Sequence, residues 1–344
     1  MGICISVASS EIHKAEDGYE NAIFFQQKND SKGIQRVGSV YSKEGSKGLN
    51  QDSAILYQGY GNEDGVFCGV FDGHGKNGHI VSEMVRNRLP LLLLSQKNFA
   101  AKINALILEE EDDFLTPSKN KDSELVPSEN FQNWKETITS AFKVMDKEIK
   151  LQENLDCACS GTTAVVVIQQ GEDLAIANLG DSRAVLGTST ENEVTAIQLT
   201  TDLKPGLPAE AERIRQCNGR VVALKQEPHI QRVWLPHEDT PGLAMSRAFG
   251  DFLLKDHGII STPDVSFHRL TPKDQFIVLA TDGVWDVLSN NEVASIVWKA
   301  NSEEAAARAV VEAATATWRK KFPASKIDDC TVVCLFLQSR RRLN

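Results

Sequence analysis

Short apolar runs that stop at aspartate recur along this 344-residue chain. They place Asp72 after residues 66–71, Asp282 after residues 275–280, and Asp328 with Asp329 before residues 331–337. Runs of this length predict buried strands, so each aspartate should project from a strand end. Two carboxylates about 4 Å apart repel by about 4 kcal/mol at an effective dielectric of about 20. A cluster of them therefore predicts bound cations, and carboxylate ligands favour magnesium or manganese over zinc or copper.

The rest of the hydrophobic pattern predicts helices on either side of β-rich segments. Helical spacing covers residues 78–95, with an interruption near Pro90, and residues 131–150, 208–216, 290–300 and 302–318, the last capped by Ser302. Successive short β-rich runs between residues 162 and 200 predict an antiparallel meander. Residues 219–241 carry several polar residues and prolines and predict an irregular segment. The expected fold class is α+β with a mostly antiparallel sheet.

Changes in composition predict one folded domain with polar ends. Residues 1–33 show no sustained apolar period and predict a flexible leader. Residues 34–338 predict a single domain. Within it, residues 109–130 are acidic and interrupted by two prolines, which predicts an exposed loop. Residues 339–344 form a short basic tail.

Charge and cysteine usage narrow the class of protein. The formal net charge of -10 disfavours a nucleic-acid binder, because neutralising phosphates requires a basic face. The seven cysteines form no paired framework, which suits a reducing compartment such as the cytoplasm. No apolar stretch reaches the roughly 20 residues that a membrane-spanning helix needs.

The first six residues, MGICIS, match the pattern for N-myristoylation, with Gly2 as the acceptor once Met1 is removed. A single myristoyl chain binds a membrane only marginally, so palmitoylation of Cys4 would supply a second anchor. The alternative is an unmodified, flexible tail. The pattern predicts peripheral attachment at the cytoplasmic face of the plasma membrane.

Seven motifs follow one another along the chain. They are NQDS from Asn50, VFDGHG from Val70, SGTTAV from Ser160, ANLGDSRAV from Ala177, LAMSRAFGD from Leu243, LATDGVWDVLS from Leu279 and DDCTVV from Asp328. With these motifs, residues 34–337 resemble the metal-dependent protein serine/threonine phosphatases of the protein phosphatase 2C (PP2C, PPM) family. The MGICIS start is similar to a lipid-anchored subgroup of plant members. The resemblance implies an α/β/β/α sandwich, two mainly antiparallel sheets between helical layers, with metal ions in a channel at one sheet edge.

The resemblance also implies a set of metal ligands. Two Mg²⁺ or Mn²⁺ ions would be held by Asp72, the backbone carbonyl of Gly73, Asp282 and Asp328. Asp329 is the alternative to Asp328. Asp181 matches an aspartate associated with a third, weaker ion, although a tight turn would also explain it. Asp52 would order water bound to the metal.

The implied reaction is hydrolysis of a phosphoserine or phosphothreonine by a metal-activated water. His74 resembles the family histidine that protonates the leaving oxygen, a task that suits an imidazole pKa near neutrality. Lys47 stands where the family usually has an arginine that contacts the substrate phosphate, and lysine lacks the bidentate fork of arginine. Weaker phosphate binding is therefore expected. Gln51 replaces a family carboxylate beside Asp52, so metal affinity is expected to drop.

The main functional hypothesis is a protein phosphatase that acts on phosphorylated proteins, with kinases among its partners, and that is a monomer. A membrane-associated pseudophosphatase, or phosphoprotein-binding regulator, is the alternative from another class. A pure binding module has no need of so many repelling carboxylates, which disfavours it. A small-molecule phosphomonoesterase is the other enzyme alternative. Protein substrates would be favoured if residues 219–241, with Trp234 as a contact candidate, flank the site.

Overall fold

Two β sheets lie face to face between two layers of helices. The computed structural model describes residues 11–14, 21–26, 37–111, 129–190 and 193–338. The strands are β1 (Glu11–Lys14), β2 (Ala22–Gln26), β3 (Gly38–Lys43), β4 (Asp52–Gln58), β5 (Val66–His74), β6 (Gly161–Thr162), β7 (Ala164–Gln170), β8 (Asp173–Leu179), β9 (Arg183–Ser189), β10 (Val194–Gln198), β11 (Arg220–Leu224), β12 (Glu227–Trp234), β13 (Pro241–Leu243), β14 (Phe249–Gly250), β15 (Asp264–Arg269), β16 (Asp274–Ala280) and β17 (Cys330–Phe336). The helices are α1 (Gly78–Glu111), α2 (Glu129–Lys150), α3 (Pro208–Gln216), α4 (Phe252–Lys255), α5 (Asp282–Trp285), α6 (Asn290–Lys299) and α7 (Ala306–Lys321).

Antiparallel pairing dominates the sheets. The first sheet runs β1-β2-β4-β5-β7-β8-β15, with β6 paired to β5 and β14 paired to β6. The second runs β10-β9-β16-β17-β3, and a third, small sheet runs β11-β12-β13. Among the described strands only β2 and β4 pair in parallel. The predicted α+β class with mainly antiparallel sheets is confirmed.

The central strands are apolar on both faces because both faces are covered. Along β16, Phe276 and Val278 pack toward α5, α6 and α7, whereas Ile277 and Leu279 pack against the first sheet. This alternation follows from the two-residue period of a strand, and double burial explains the unbroken apolar run. Helices α1 and α2 cover the outer face of the first sheet. The predicted α/β/β/α sandwich is confirmed.

Part of the predicted leader belongs to the first sheet. Strand β2 pairs with β4, and its Ala22 and Phe24 are buried between the sheets. The prediction of a flexible leader over residues 1–33 is wrong for this stretch, because two inward-facing side chains are too few to show as a period. Gly2, Cys4 and the rest of that leader lie outside the described residues, except for β1.

Helix α1 continues through Pro90, so the predicted interruption is wrong. Leu89 and Leu93 on either side of the proline are fully buried, and the Tyr60 hydroxyl donates to the Pro90 carbonyl at 2.7 Å. Burial of this apolar face outweighs the helix-breaking cost of one proline, about 3 kcal/mol. Of the predicted acidic loop over residues 109–130, the ends are helical, since α1 reaches Glu111 and α2 begins at Glu129. Residues 112–128 and the predicted basic tail, 339–344, lie outside the described residues.

The predicted meander is divided between the two sheets. Strands β7 and β8 pair in the first sheet, whereas β9 and β10 pair in the second, so the chain changes sheet at Gly180–Ser182. Gly180 has a φ of 106°, a backbone conformation that favours glycine. The single-meander prediction is therefore wrong, because strand periodicity does not reveal which sheet a strand joins.

The segment predicted to be irregular, residues 219–241, contains β11 and β12 and reaches β13. Trp234 is buried and its indole Nε1 donates to the Val222 carbonyl at 3.0 Å, so its predicted role as an exposed contact is wrong. The predicted Ser302 cap is also wrong, since α7 begins at Ala306. Ser302 instead accepts a hydrogen bond from the Ala305 amide at 3.2 Å, in the turn before the helix.

No helix in the described ranges combines the length and apolarity needed to cross a membrane. The six described cysteines are free thiols.

Candidate active site

Asp52 and Asp72 face each other across β4 and β5. The two residues are paired in the strand register, and Asp52 is only 2% exposed. The Thr281 hydroxyl donates to Asp52 Oδ2 at 2.9 Å. Burial, with the Asp329 charge next in importance, raises the pKa of Asp52 to about 8. The pKa of Asp72 is also raised well above its usual value by burial and by the charge of Asp52.

Asp282 enters the same cluster from the second sheet. It is the first residue of α5, and only Thr281 separates it from the end of β16. Burial and the charges of Asp181 and Asp328 raise the pKa of Asp282 well above its usual value. Asp286 follows four residues later, so both carboxylates lie on one side of the turn. The pKa of Asp286, a more exposed residue, is raised by partial burial of its carboxylate and by the charge of Asp328.

The two adjacent aspartates before β17 have different partners. Asp329 accepts the Gly45 amide at Oδ1 and the Gln51 amide at Oδ2, both at 2.8 Å, so it fixes the loop that leads into β4. Asp328 Oδ2 pairs with the Lys47 ammonium, and its Oδ1 accepts the amide of Asp329 at 3.0 Å. Asp328 therefore faces the other carboxylates, while both oxygens of Asp329 are used by the backbone.

Asp181 lies at the crossing between β8 and β9. Burial raises its pKa even though Lys204 Nζ lies 3.6 Å from Asp181 Oδ2. The other oxygen, Oδ1, is buried and has no hydrogen-bond partner. The sequence interpretation of Asp181 as part of a turn is compatible with this position, but a turn does not explain a buried carboxylate oxygen without a donor.

Lys47 brings a positive charge to the cluster. Burial lowers the pKa of Lys47, but attraction to Asp328, together with smaller contributions from Asp282 and Asp72, outweighs burial, so the net pKa is raised. Gln51, the predicted departure beside Asp52, turns its side chain away and donates from Nε2 to the Gly75 carbonyl at 2.8 Å. The Gln51 side chain thus binds the loop after β5, while only the Gln51 backbone amide binds a carboxylate, that of Asp329.

Gly73 must be glycine for steric reasons. A Cβ at this position would lie 2.4 Å from the Gly78 carbonyl oxygen and 2.5 Å from the Gln51 carbonyl oxygen. Its amide donates to that same Gln51 carbonyl at 3.2 Å. Three backbone segments approach one another closely here. They fix the position of the Gly73 carbonyl, which the family resemblance assigns to a metal ion.

His74 ends β5 and is bound to an aspartate that sequence reasoning did not single out. His74 Nε2 lies 2.6 Å from Asp251 Oδ2, and Asp251 is 1% exposed. Burial lowers the pKa of His74, but the charge of Asp251, its hydrogen bond and the charge of Asp181 together outweigh burial, so the net pKa is raised. His74 Nδ1 is buried and has no hydrogen-bond partner.

The donor set fits hard divalent cations. Across the described ranges, no three His, Cys, Asp or Glu side chains form a cage that would hold an ion by itself. Magnesium sites, however, are usually built from one or two carboxylates together with waters and substrate phosphates. Clustered carboxylates with raised pKa values, and the unpaired Oδ1 of Asp181, are what such ions would neutralise.

Comparison with known proteins gives the same family as the motifs. The model of the protein phosphatase 2C family matches residues 38–321. A protein of Arabidopsis thaliana, named "Probable protein phosphatase 2C 72", is 53% identical over 350 residues, covering 99% of both chains. A rice protein, "Probable protein phosphatase 2C 12" of Oryza sativa subsp. japonica, is 48% identical over 358 residues, covering 98% of this chain and 92% of its own. The crystal structure of serine-threonine phosphatase 2C from Toxoplasma gondii superposes with a TM-score of 0.72 at 28% identity, covering 86% of this chain and 93% of that one.

The α/β/β/α sandwich and the carboxylate site together define a phosphatase, and the chain belongs to the protein phosphatase 2C family. It is a protein serine/threonine phosphatase, so the predicted function and reaction class are confirmed. The individual roles of the site residues stay predictions.

Three residues of the site were missed. Asp251 is the last residue of the motif LAMSRAFGD, and Asp286 lies within LATDGVWDVLS, so both belong to motifs that the sequence reveals. The spacing of four from Asp282 could have indicated Asp286. Lys204 stands in an ordinary polar turn and carried no signal, because only the crossing of the chain between the sheets brings it to Asp181.

Proposed function

We propose that this protein is a Mg²⁺- or Mn²⁺-dependent phosphatase of phosphoserine and phosphothreonine in proteins. The proposal rests on one observation, the convergence of Asp52, Asp72, Asp282 and Asp328 from both sheets at one buried edge. Asp72, Asp282, Asp328 and the Gly73 carbonyl would hold the two ions, and Asp181 with Asp286 a third. When bound, these ions supply Lewis acidity that activates water and neutralises phosphoryl charge.

The remaining residues act on water and substrate. Asp52, held by the Thr281 hydroxyl, orients water at the metal site. Lys47 pairs with Asp328, and with ions bound at that carboxylate its ammonium would be free to bind the substrate phosphate. His74 protonates the leaving serine or threonine oxygen.

Protein substrates are supported by what lies beside the site. Helix α3 is tied to the segment that carries Asp251, because Arg213 on α3 donates to the Ser246 carbonyl at 2.9 Å. The third sheet packs on the same segment through Val233 and Leu254. A sheet at this position adds surface beside the segment that carries Asp251, against which a polypeptide substrate would pack.

Phosphate release from a phosphothreonine peptide in Mn²⁺, in Mg²⁺ and in EDTA tests the proposal. Native protein should release phosphate with either ion and none in EDTA. Asp282→Asn should be inactive throughout, while Asp264→Asn, which alters an exposed aspartate on β15, should match the native chain. Release that persists in EDTA would overturn the proposal.

We also propose that the chain is held at the cytoplasmic face of the plasma membrane by lipids on Gly2 and Cys4, in support of which stands the MGICIS pattern. Fractionation of cells that express Gly2→Ala should find the protein in the supernatant. Cys4→Ser should leave an intermediate distribution, because one acyl chain binds only marginally. Unchanged membrane association of Gly2→Ala would contradict this proposal.

A further inference from the structure

The last turn of α7 and the loop that follows it, residues 318–327, are fixed to the active site at both ends. At the first end, the Trp318 indole Nε1 donates to the Gly283 carbonyl at 2.6 Å, one residue after Asp282. At the other end, the Ile327 amide donates to the Ser46 hydroxyl at 2.7 Å, and the Ser46 amide donates to the Ile327 carbonyl at 2.8 Å. The segment therefore borders the carboxylate cluster.

The charged side chains between these two ends are all positive. Arg319, Lys320 and Lys326 are exposed, and no aspartate or glutamate occurs from residue 313 to residue 327. Within the part of the chain that the structure describes, none of these three side chains forms a salt bridge. Their charges are therefore available to a partner.

The helix dipole explains only part of this charge. Basic side chains in the last turn of a helix are stabilised by its carbonyl end, which accounts for Arg319 and Lys320. The third basic residue of that turn, Lys321, donates to the Val287 carbonyl at 2.8 Å and ties the helix to the segment after α5. Lys326 lies beyond the end of the helix. The positive surface thus extends past what the helix itself requires.

An exposed aromatic ring lies among these charges. Phe322 is 43% exposed although its ring packs against that of Trp318, with 5.3 Å between the ring centroids. The Phe322 carbonyl accepts the Ser325 amide at 3.0 Å, so the chain turns there and Lys326 stays near the end of the helix. Aromatic rings and arginines are enriched at protein interfaces. We refer to Arg319, Lys320, Phe322 and Lys326 as the basic patch.

The position and the sign of the basic patch both bear on a substrate. The chain as a whole carries a formal net charge of -10, so most of its surface disfavours an acidic polypeptide. A local positive surface attracts such a polypeptide to one place and fixes its orientation. Lys326 is two residues from Asp328, so their Cα atoms lie at most about 7 Å apart. A segment bound to the patch would therefore be only a few residues from a phosphorylated residue at the carboxylates.

We propose that the basic patch binds a run of aspartates and glutamates that flanks the phosphoserine or phosphothreonine of a protein substrate. The inference rests on the proposed function and names the class of its substrates. The guanidinium of Arg319 and the two ammonium groups pair with the carboxylates of the run. Because the patch binds a part of the substrate that does not react, it acts on KM and leaves kcat nearly unchanged.

Two phosphothreonine peptides test the proposal at saturating Mn²⁺. One carries runs of glutamate on both sides of the phosphothreonine, and the other carries glutamine at the same positions. The native chain should show a KM about tenfold lower for the glutamate peptide, since three exposed ion pairs contribute about twofold each. Raising NaCl to about 0.5 M should reduce this difference to less than about twofold, because salt screens exposed charges.

Two triple variants with the same change in net charge separate the patch from charge in general. Arg319→Gln, Lys320→Gln and Lys326→Gln together should make KM equal for the two peptides, with kcat nearly unchanged. The control combines Lys135→Gln and Lys143→Gln on α2 with Lys273→Gln before β16, all exposed, and should keep the preference of the native chain. The single variant Lys326→Gln, which lies outside α7, should weaken the preference about twofold even if the triple variant folds poorly.

The outcomes distinguish this inference from the proposed function. If the native chain releases phosphate from neither peptide, the proposed function fails and the inference fails with it. If it releases phosphate from both with equal KM, the inference alone is overturned, as it is if the patch variants keep the preference or the control loses it. A patch variant that keeps the preference but no longer sediments with phosphatidylserine vesicles, as the control does, would assign the patch to a membrane and overturn the proposal. Loss of the preference in the patch variants alone would establish it.

Discussion

Burial and neighbouring charges oppose the ionisation of four carboxylates in the active site, those of Asp52, Asp72, Asp181 and Asp282. Asp72 and Asp282 come from different sheets, yet the pKa of each is raised well above its usual value by burial first and by nearby carboxylates second. Lys47 offsets part of this repulsion at Asp328, and Lys204 offsets part of it at Asp181. The metal-free site is thus a place where added positive charge lowers the free energy.

Removing one of these carboxylates should abolish activity without loss of stability. Asp282→Asn should lower kcat by at least about 100-fold, since a lost ligand costs several kcal/mol of charge stabilisation. In EDTA its Tm should equal or exceed that of the native chain, because one repelling charge is gone. Mn²⁺ should raise the Tm of the native chain but not of Asp282→Asn, as differential scanning calorimetry can show. Unfolding of the variant in EDTA would contradict this account.

Replacing Lys47 should separate phosphate binding from metal binding. Lys47→Met keeps the length of the side chain but removes the ammonium, so KM for a phosphopeptide should rise about tenfold, the loss of roughly one charge-assisted hydrogen bond. Mn²⁺ should bind more tightly in calorimetric titration, because Asp328 loses its internal counter-charge. Lys47→Arg, which keeps the charge and adds a bidentate fork, should instead lower KM. Weaker Mn²⁺ binding by Lys47→Met would contradict the role given to this ion pair.

At the scale of elements, α3 is joined to the active-site segment by one buried carboxylate. Glu210 accepts hydrogen bonds from Arg247 at 2.6 and 3.0 Å, from Arg213 at 2.8 Å and from Ser246 at 2.6 Å. Burial alone would raise its pKa, but these donors outweigh burial and lower the pKa to about 2. The network therefore links α3 to Ser246 and Arg247, in the segment that leads into β14 and Asp251.

This lowered pKa gives the stability a defined dependence on pH. The ordinary pKa of 4.5 exceeds the folded value of about 2, so the ionised form is favoured by folding. The stabilisation is present above pH 4.5, where it amounts to about 3 kcal/mol, and is lost as the pH falls toward 2. Urea unfolding of native protein and Glu210→Gln should differ by this amount at pH 7 and converge at acid pH. A difference independent of pH would contradict the assignment.

The elements differ in how far the sequence predicts them. Helix α3 matches the predicted residues 208–216. Strands β16 and β17 each begin one residue before their predicted runs, and β17 ends one residue early, because an unbroken apolar run marks a strand that is buried on both faces. The third sheet was missed because most of β11 and β12 is only half-buried or exposed, so the two strands are set by pairing with each other and not by a buried face. Strand β2 was missed because its stability comes from β4 and the core, not from its own pattern.

At the scale of the molecule, the apolar layer packed between the two sheets supports the strands that carry the active site. It joins strands whose ends carry Asp52, Asp72 and Asp282, so loss of packing here should disturb stability before it disturbs chemistry.

A pair of leucine substitutions tests this layer. Leu56 is 0% exposed between the sheets, whereas Leu91 on α1 is 51% exposed. Leu56→Ala should lower the free energy of unfolding by about 2–5 kcal/mol, the cost of a buried cavity. Leu91→Ala should change it by less than about 0.5 kcal/mol. Denaturant unfolding measures both, and equal effects would contradict the placement of the core.

The sequence by itself determined the family, the class of reaction and the fold, because motifs in a fixed order and strand-end aspartates are local patterns of residue type. It also indicated Asp328 over Asp329 by alignment, and although the two side chains have distinct partners, the choice of ligand stays a prediction. Tertiary structure alone decided which sheet each strand joins, that residues 22–26 belong to the core, and that Asp251, 177 residues after His74, is its partner. Such contacts depend on how the chain crosses between the sheets and on the absence of a side chain at Gly161. No local spacing in the sequence encodes them.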